Sequence, residues 1–195
     1  LAIFSLFVNE AKPIVNAAQS CALPPHISRV SVVAGGAVVN GRSHWASLSG
    51  DGRLVEFESQ ASNLIAGDQN NLRDVFVFDR QSGQSSRTSI APNNKDANAH
   101  SFASDISADG RYVAFESWAS NLVTGDSGNI WDVFVYDRQS GQTSRLSVAS
   151  NGTQGNDSST SPQISDDGRY VAFDSLASNL VTDDSNGLSD IFVLK

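Results

Sequence analysis

The chain has no methionine and a single cysteine, Cys21. One thiol excludes an intrachain disulfide, a disulfide framework and a cysteine-built metal centre. Histidine is scarce too. His26, His44 and His100 share no repeat position, and neither His-x-x-x-His nor Gly-x-Ser-x-Gly occurs. A zinc site or catalytic triad has little to be built from. Charged residues make up only 17%, with 13 Lys and Arg against 21 Asp and Glu, for a net charge of −8. That balance argues against nucleic acid and anionic membranes, which require basic patches. No apolar run approaches the roughly 20 residues of a membrane helix. With no Met, the chain is expected to be a processed product or an excerpt of a longer precursor. Leu1–Val8 is apolar but lacks a basic leader, so it is expected to be retained rather than cleaved as a signal.

What is present is a repeat. Ser107-Ala-Asp-Gly-Arg-Tyr-Val-Ala-Phe-Glu-Ser117 has counterparts at 49–59 and 165–175. The Asp-Gly-Arg triplets start at 51, 109 and 167, and 109 − 51 = 167 − 109 = 58. Ala-Ser-Asn-Leu at 61, 119 and 177 keeps that spacing, as does Asp-(Val/Ile)-Phe-Val at 74, 132 and 190. Shared anchors at one period indicate a structural repeat. Ser28-Arg-Val-Ser-Val32 matches Ser86–Ile90 and Ser144–Val148, so it reads as the last strand of a repeat. The third copy stops before its own last strand. The chain divides into an extension, 1–27, and a three-repeat region, 28–195.

Each repeat is expected to hold four strands, in the second copy at roughly 102–107, 111–117, 132–138 and 143–149. Ala108-Asp-Gly110 is a tight turn, with Gly supplying positive φ. Arg138-Gln-Ser-Gly-Gln142 is a hairpin loop. Val113 and Phe115 point to one face and Tyr112 and Ala114 to the other. Both faces carry apolar groups, so the sheet is packed on both sides. Four antiparallel strands per repeat, stacked face to face, make a propeller blade. The expected fold is all-β, with three four-stranded propeller-type blades and an N-terminal strand extension.

These motifs resemble the TolB-type, WD-like β-propeller repeat of secreted bacterial proteins over residues 28–195. The resemblance implies the blade fold and an extracellular, cell-surface or periplasmic setting. It implies little about activity, since such repeats occur in scaffolds, peptidase accessory domains and surface proteins.

Two groups of residues are candidates for function. In the mid-repeat loops, Asp68, Asp126 and Asp184 align, as do Asp74, Asp132 and Asp190, and Asn70 or Asn186, and Asn71 or Asn129, lie between them. Such oxygen-rich loops suit structural calcium, although no bidentate Glu follows at the twelfth position. The same residues also suit Asx turns that shape a loop. The second group is Leu1, Ile3, Phe4, Leu6, Phe7 and Val8. They form an apolar strand that either packs on its own domain or enters a neighbouring copy by strand addition. Burial of Ile3, Phe4, Leu6 and Phe7 would contribute about 1.5–3 kcal/mol per side chain. Glu58, Glu116 and Asp174 share one repeat position. They are expected to serve the fold by pairing with Arg53, Arg111 and Arg169 or by bonding to a loop backbone. Trp118 and Trp131 are candidates for sugar stacking.

The leading expectation is a non-enzymatic extracellular subunit that assembles with copies of itself into a filament or oligomer. The alternative is a monomeric propeller module that binds a protein or glycan. An exposed aromatic cluster from the 118–131 loop and its equivalents would favour that alternative.

Overall fold

The computed structural model describes residues 26–127 and 130–195, with backbone alone at 103 and 104. Leu1–Val8, Cys21 and Asn129 lie outside the described residues. Among the described residues the fold is all-β, with one short 3-10 turn at Pro92–Asn94. Strands β1 (Ser43–Leu48), β2 (Leu54–Ser59), β3 (Asp74–Asp79) and β4 (Gln84–Arg87) form one antiparallel sheet in that order. A two-stranded ribbon, β5 (Ile90–Ala91) and β6 (Lys95–Asp96), follows. The second sheet repeats the first with β7 (Ser101–Ile106), β8 (Tyr112–Ser117), β9 (Asp132–Asp137) and β10 (Gln142–Arg145). The third contains β11 (Ser159–Ile164), β12 (Val171–Ser175) and β13 (Asp190–Leu194). The expected four strands therefore form twice. The third sheet has three, and the sequence ends one residue past β13.

Two expected strands differ. The last strand of the second repeat ends at Arg145, not 149. Beyond it the Ser147 hydroxyl donates to Asp132 and accepts the Val133 N–H, so a side chain replaces the ladder. Ser28–Val32 is not a strand. A fourth strand pairs with the third strand of its own repeat, and that partner is not among the described residues here. Val30 and Val32 instead pack on Phe57, Phe76 and their neighbours in the first sheet. The local turn is retained without the strand. The Val32 N–H donates to the Val30 carbonyl at 2.9 Å, as Ile90 does to Thr88 at 2.9 Å.

The core lies between sheets, as the two-faced patterning predicts. Val113 and Phe115 of β8 join Leu54, Val75 and Val77 of the first sheet. Ala114 and Tyr112 face the opposite way, toward Ile164, Val171 and Phe173 of the third. One stacked pair recurs within each sheet: Phe57–Phe76, Phe115–Phe134 and Phe173–Phe192, with centroids 6.1, 5.7 and 5.9 Å apart. Burying a side chain of this size contributes about 1.5–3 kcal/mol.

The Ser-x-Asp-Gly-Arg motif closes the turn between the first two strands. In the second repeat the Ser107 hydroxyl donates to Asp109 at 2.6 Å and accepts the Tyr112 N–H at 3.0 Å. Arg111 then reaches across the sheet to Asp137 with two bonds, at 3.0 and 2.8 Å. Arg53 does the same to Asp79, at 3.0 and 2.7 Å. The turns also touch one another. The Gly50 N–H donates to the Ala108 carbonyl, and the Ala108 N–H to that of Asp166. Asp105 of β7 ties three sheets together. It accepts the Ser47 hydroxyl and the Ile106 and Ile164 N–H groups, each at 2.9 Å. These bonds bring the first strands side by side.

Gly110 meets two constraints at once. Its φ is +71°, and a Cβ there would lie 2.2 Å from Leu54 Cδ1 of the preceding sheet. Gly67 has φ +87° with open space around it. Gly110→Ala is therefore expected to cost about 2–4 kcal/mol, combining left-handed strain with overpacking. Gly67→Ala should cost about 1–2 kcal/mol, from strain alone. Urea unfolding of the two variants compares them directly, and equal losses would contradict the close approach.

Candidate functional site

In the first two repeats the acids predicted as calcium ligands are engaged by protein donors. In the first repeat the Arg87 guanidinium is buried between Asp68, at 3.3 Å, and Asp74, at 3.4 Å, and also pairs with Asp96. Asp74 further accepts the Ser89 hydroxyl at 2.6 Å and the Asn70 amide at 2.9 Å. The second repeat copies this. Arg145 lies 3.4 Å from Asp126 and 3.8 Å from Asp132. Gln154 replaces Asp96 and donates to Asp132 at 2.7 Å. A fixed arginine thus supplies positive charge among these oxygens. In the third repeat Asn186 donates to Asp190 at 2.8 Å, and Asp184 and Asp190 line an open hollow beside Phe192. No cluster of three or more His, Cys, Asp or Glu arranged to hold a metal occurs among the described residues.

Burial raises Asp68 above the usual carboxylate range, and the Asp74 charge adds to this. Burial raises Asp74 and Asp132 as well, against the pull of Ser89 and Ser147. These acids stay in the interior because a guanidinium and hydroxyls compensate them.

A different set of residues forms a cleft of about 630 Å³ at one end of the first strands. Three repeated positions build it. The first is a bulge in each first strand, where the register slips between His44 and Ala46, between Phe102 and Asp105, and between Thr160 and Gln163. Bulges bend a strand and re-aim its side chains. The second is the acid opposite each bulge: Glu58 faces His44, Glu116 faces Phe102 and Asp174 faces Thr160 across the ladder. The third is the residue just before the third strand, Arg73 or Trp131. Its backbone is bonded to the next sheet: Ser101 N–H donates to the Arg73 carbonyl, and Ser159 N–H to that of Trp131.

The cleft walls are aromatic. Phe102 meets Trp131 edge-on at 5.2 Å, Trp131 stacks on Trp118 at 6.0 Å, and His100 tilts against Phe102 at 5.7 Å. Trp45 also lines the cleft and is 76% exposed. It occupies the bulge with φ +47°, and Ser161 occupies the equivalent place in β11 with φ +55°. A bulky residue held in the left-handed region is costly, and such outliers cluster at ligand sites.

Two carboxylates complete the cleft. Glu58 is buried and lies 3.3 Å from Arg73, whose guanidinium carbon is 4.6 Å from the Phe102 ring centre. Glu116 is half-buried and accepts the Ser161 N–H at 2.7 Å. Burial raises the Glu116 carboxyl above its ordinary range. The Ser161 bond opposes the shift, and the charges of Glu58 and Asp174 reinforce it.

The expected pairing of these acids with Arg53, Arg111 and Arg169 is corrected in part. Arg53 and Arg111 bind Asp79 and Asp137 instead, and Arg169 lies 4.0 Å from Asp167. Glu116 does bond to backbone, but to that of the β11 bulge and not to a loop. Trp118 and Trp131 do form part of an aromatic cluster. Trp45 and Phe102 were not anticipated. Trp45 is the one tryptophan before the first Asp-Gly-Arg, but a bulge leaves no mark in alternating polarity.

No protein-family description and no curated protein matches the chain. Among solved structures, putative TolB from Agrobacterium tumefaciens is similar at 20% identity and TM-score 0.46, over 73% of this chain and 41% of that one. TolB from Acinetobacter baumannii is similar at 20% identity and TM-score 0.43, over 80% and 32%. The β-propeller domain of the Trilobed protease from Pyrococcus furiosus is similar at 13% identity and TM-score 0.41, over 80% and 43%. The chain thus spans less than half the length of each. Likeness at this level concerns fold alone, and nothing about ligand or activity follows from it.

Two outcomes are expected. Arg87→Met strands the buried Asp68 and Asp74 and should cost about 3–5 kcal/mol in chemical denaturation at neutral pH. For Glu116 the folded pKa lies above the unfolded one, so its ionisation costs stability once pH rises through the folded value. Glu116→Gln should therefore match the parent near pH 4 and exceed it at pH 7. Melting temperatures across that range check the sign, and a parent that gains on the variant with rising pH would refute it.

Proposed function

We propose that the three sheets are blades of a β-propeller-type binding module and that the aromatic, acidic cleft takes its protein or glycan partner. The observation that carries this reading is the convergence of Trp45, Phe102 and Trp131 with Glu58 and Glu116 on one concave surface. Exposed aromatic rings beside a few placed polar groups are the usual composition of a ligand site. The positive φ of Trp45 belongs to the bulge, since Ser161 shares it, and the bulge presents a mostly exposed indole to the cleft.

The chemistry on offer is recognition. The acids of the cleft occupy one repeated position, and each second-strand acid opposes a first strand in the same way. An extracellular, cell-surface or periplasmic setting goes with this reading on the resemblance of the repeats. The self-assembly reading depends on Leu1, Ile3, Phe4, Leu6, Phe7 and Val8, outside the described residues, and gains nothing from the cleft.

Tryptophan emission of the native chain, titrated with panels of short peptides and of oligosaccharides, tests the proposal. At least one class should shift the emission. Trp45→Ala and Trp131→Ala should each weaken that ligand about tenfold or more, as truncated aromatic anchors do, with the melting temperature little changed. A ligand that ignores both substitutions, or no ligand in either panel, would overturn it.

A further inference from the structure

Comparison of the repeats around this cleft indicates what it accepts. In the first repeat, Arg73 places its guanidinium between a carboxylate and a ring. It lies 3.3 Å from Glu58 and over Phe102, with its carbon 4.6 Å from the ring centre. One repeat further on, the acid is kept as Glu116, since 58 + 58 = 116, but the arginine position is Trp131, since 73 + 58 = 131. The cation is gone and a larger ring stands in its place. No ion pair to Glu116 is formed among the described residues. Its hydrogen-bond donor is the backbone N–H of Ser161. Glu58 and Asp174 act on it with charge of the same sign.

We propose, resting on the binding-module reading, that the cleft receives an arginine side chain from a partner polypeptide, paired with Glu116 and stacked on Trp131 or Trp45. The incoming guanidinium repeats in trans what Arg73 does in cis. A planar guanidinium suits this place because it stacks on aromatic faces while donating to a carboxylate. An ammonium is more strongly hydrated and gains less from the rings. A neutral sugar can stack on the rings but leaves the Glu116 charge uncompensated. The net charge of −8 favours approach of a cationic segment.

The probe is an acetylated and amidated Gly-Arg-Gly peptide, added to the full chain at pH 7. Its citrulline counterpart has the same shape without the charge. Indole N–H resonances of Trp45 and Trp131 report the site. The arginine peptide should shift both. Its affinity should fall at least tenfold on replacement by citrulline, and at least tenfold in Glu116→Gln with the fold retained by melting temperature. Trp131→Arg places a cation beside Glu116 as Arg73 stands beside Glu58, although Thr160 takes the place of the Phe102 ring, and it should close the site with at least a tenfold loss. Equal binding of the citrulline peptide, or undiminished binding by Trp131→Arg, overturns the assignment. Indole shifts with neutral chitotriose but not with the arginine peptide keep the cleft as a binding site and overturn the arginine. Silence toward both overturns the arginine and counts against the cleft itself.

Discussion

The middle sheet of this protein is apolar on both faces, and its packing between two neighbours organises the rest of the structure. A strand such as Tyr112–Ser117 sends Val113 and Phe115 toward one neighbouring sheet and Ala114 toward the other. The solution is a row of sheets packed face to face. A stacked phenylalanine pair recurs at the same repeat position in every sheet. Packing this close requires glycine where Gly110 passes over Leu54 and where Gly168 passes over Tyr112. It also draws the first strands together, so that Asp105 can bond to three sheets from one carboxylate.

Polar residues of the repeat divide into two kinds. Those that recur with their partners serve the fold. Arg53 with Asp79 and Arg111 with Asp137 span the sheet, and Asn63, Asn121 and Asn179 each accept the backbone N–H of an equivalent residue, Asn40, Asn98 or Asn156. Arg87 and Arg145 neutralise acids that would otherwise be intolerable in the interior. The second kind are positions where the partner changes from copy to copy. Arg73 becomes Trp131, and the bulge residue is Trp45 in one sheet and Ser161 in another. The proposed cleft falls where the repeat is broken, as a single ligand would need an asymmetric surface.

That division explains how much was legible beforehand. The strands, the Asp-Gly turns and the hairpin loops follow from a 58-residue period and alternating polarity, since both are local and reinforced by repetition. The Asp68–Asp74 and Asp126–Asp132 pairs were visible as well, but their partners Arg87 and Arg145 were not, because each arginine comes from the fourth strand, across the sheet edge. Ser28–Val32 reads as a strand by its match to Ser86–Ile90, yet strand geometry needs a partner to bond to. Among the described residues it has none, and its valines take the packing role.

The sequence by itself determined the all-β class, the repeat and the alternation that places a core on both faces of the middle sheet. These depend on spacing along one chain, which the residues carry directly. Only the tertiary structure decided that Trp45, Phe102, Trp131, Glu58 and Glu116 share a cleft. They come from separate strands and loops more than 80 residues apart at the extremes, since 131 − 45 = 86. Their meeting depends on bulges that alternating polarity cannot show and on the packing that brings neighbouring first strands side by side.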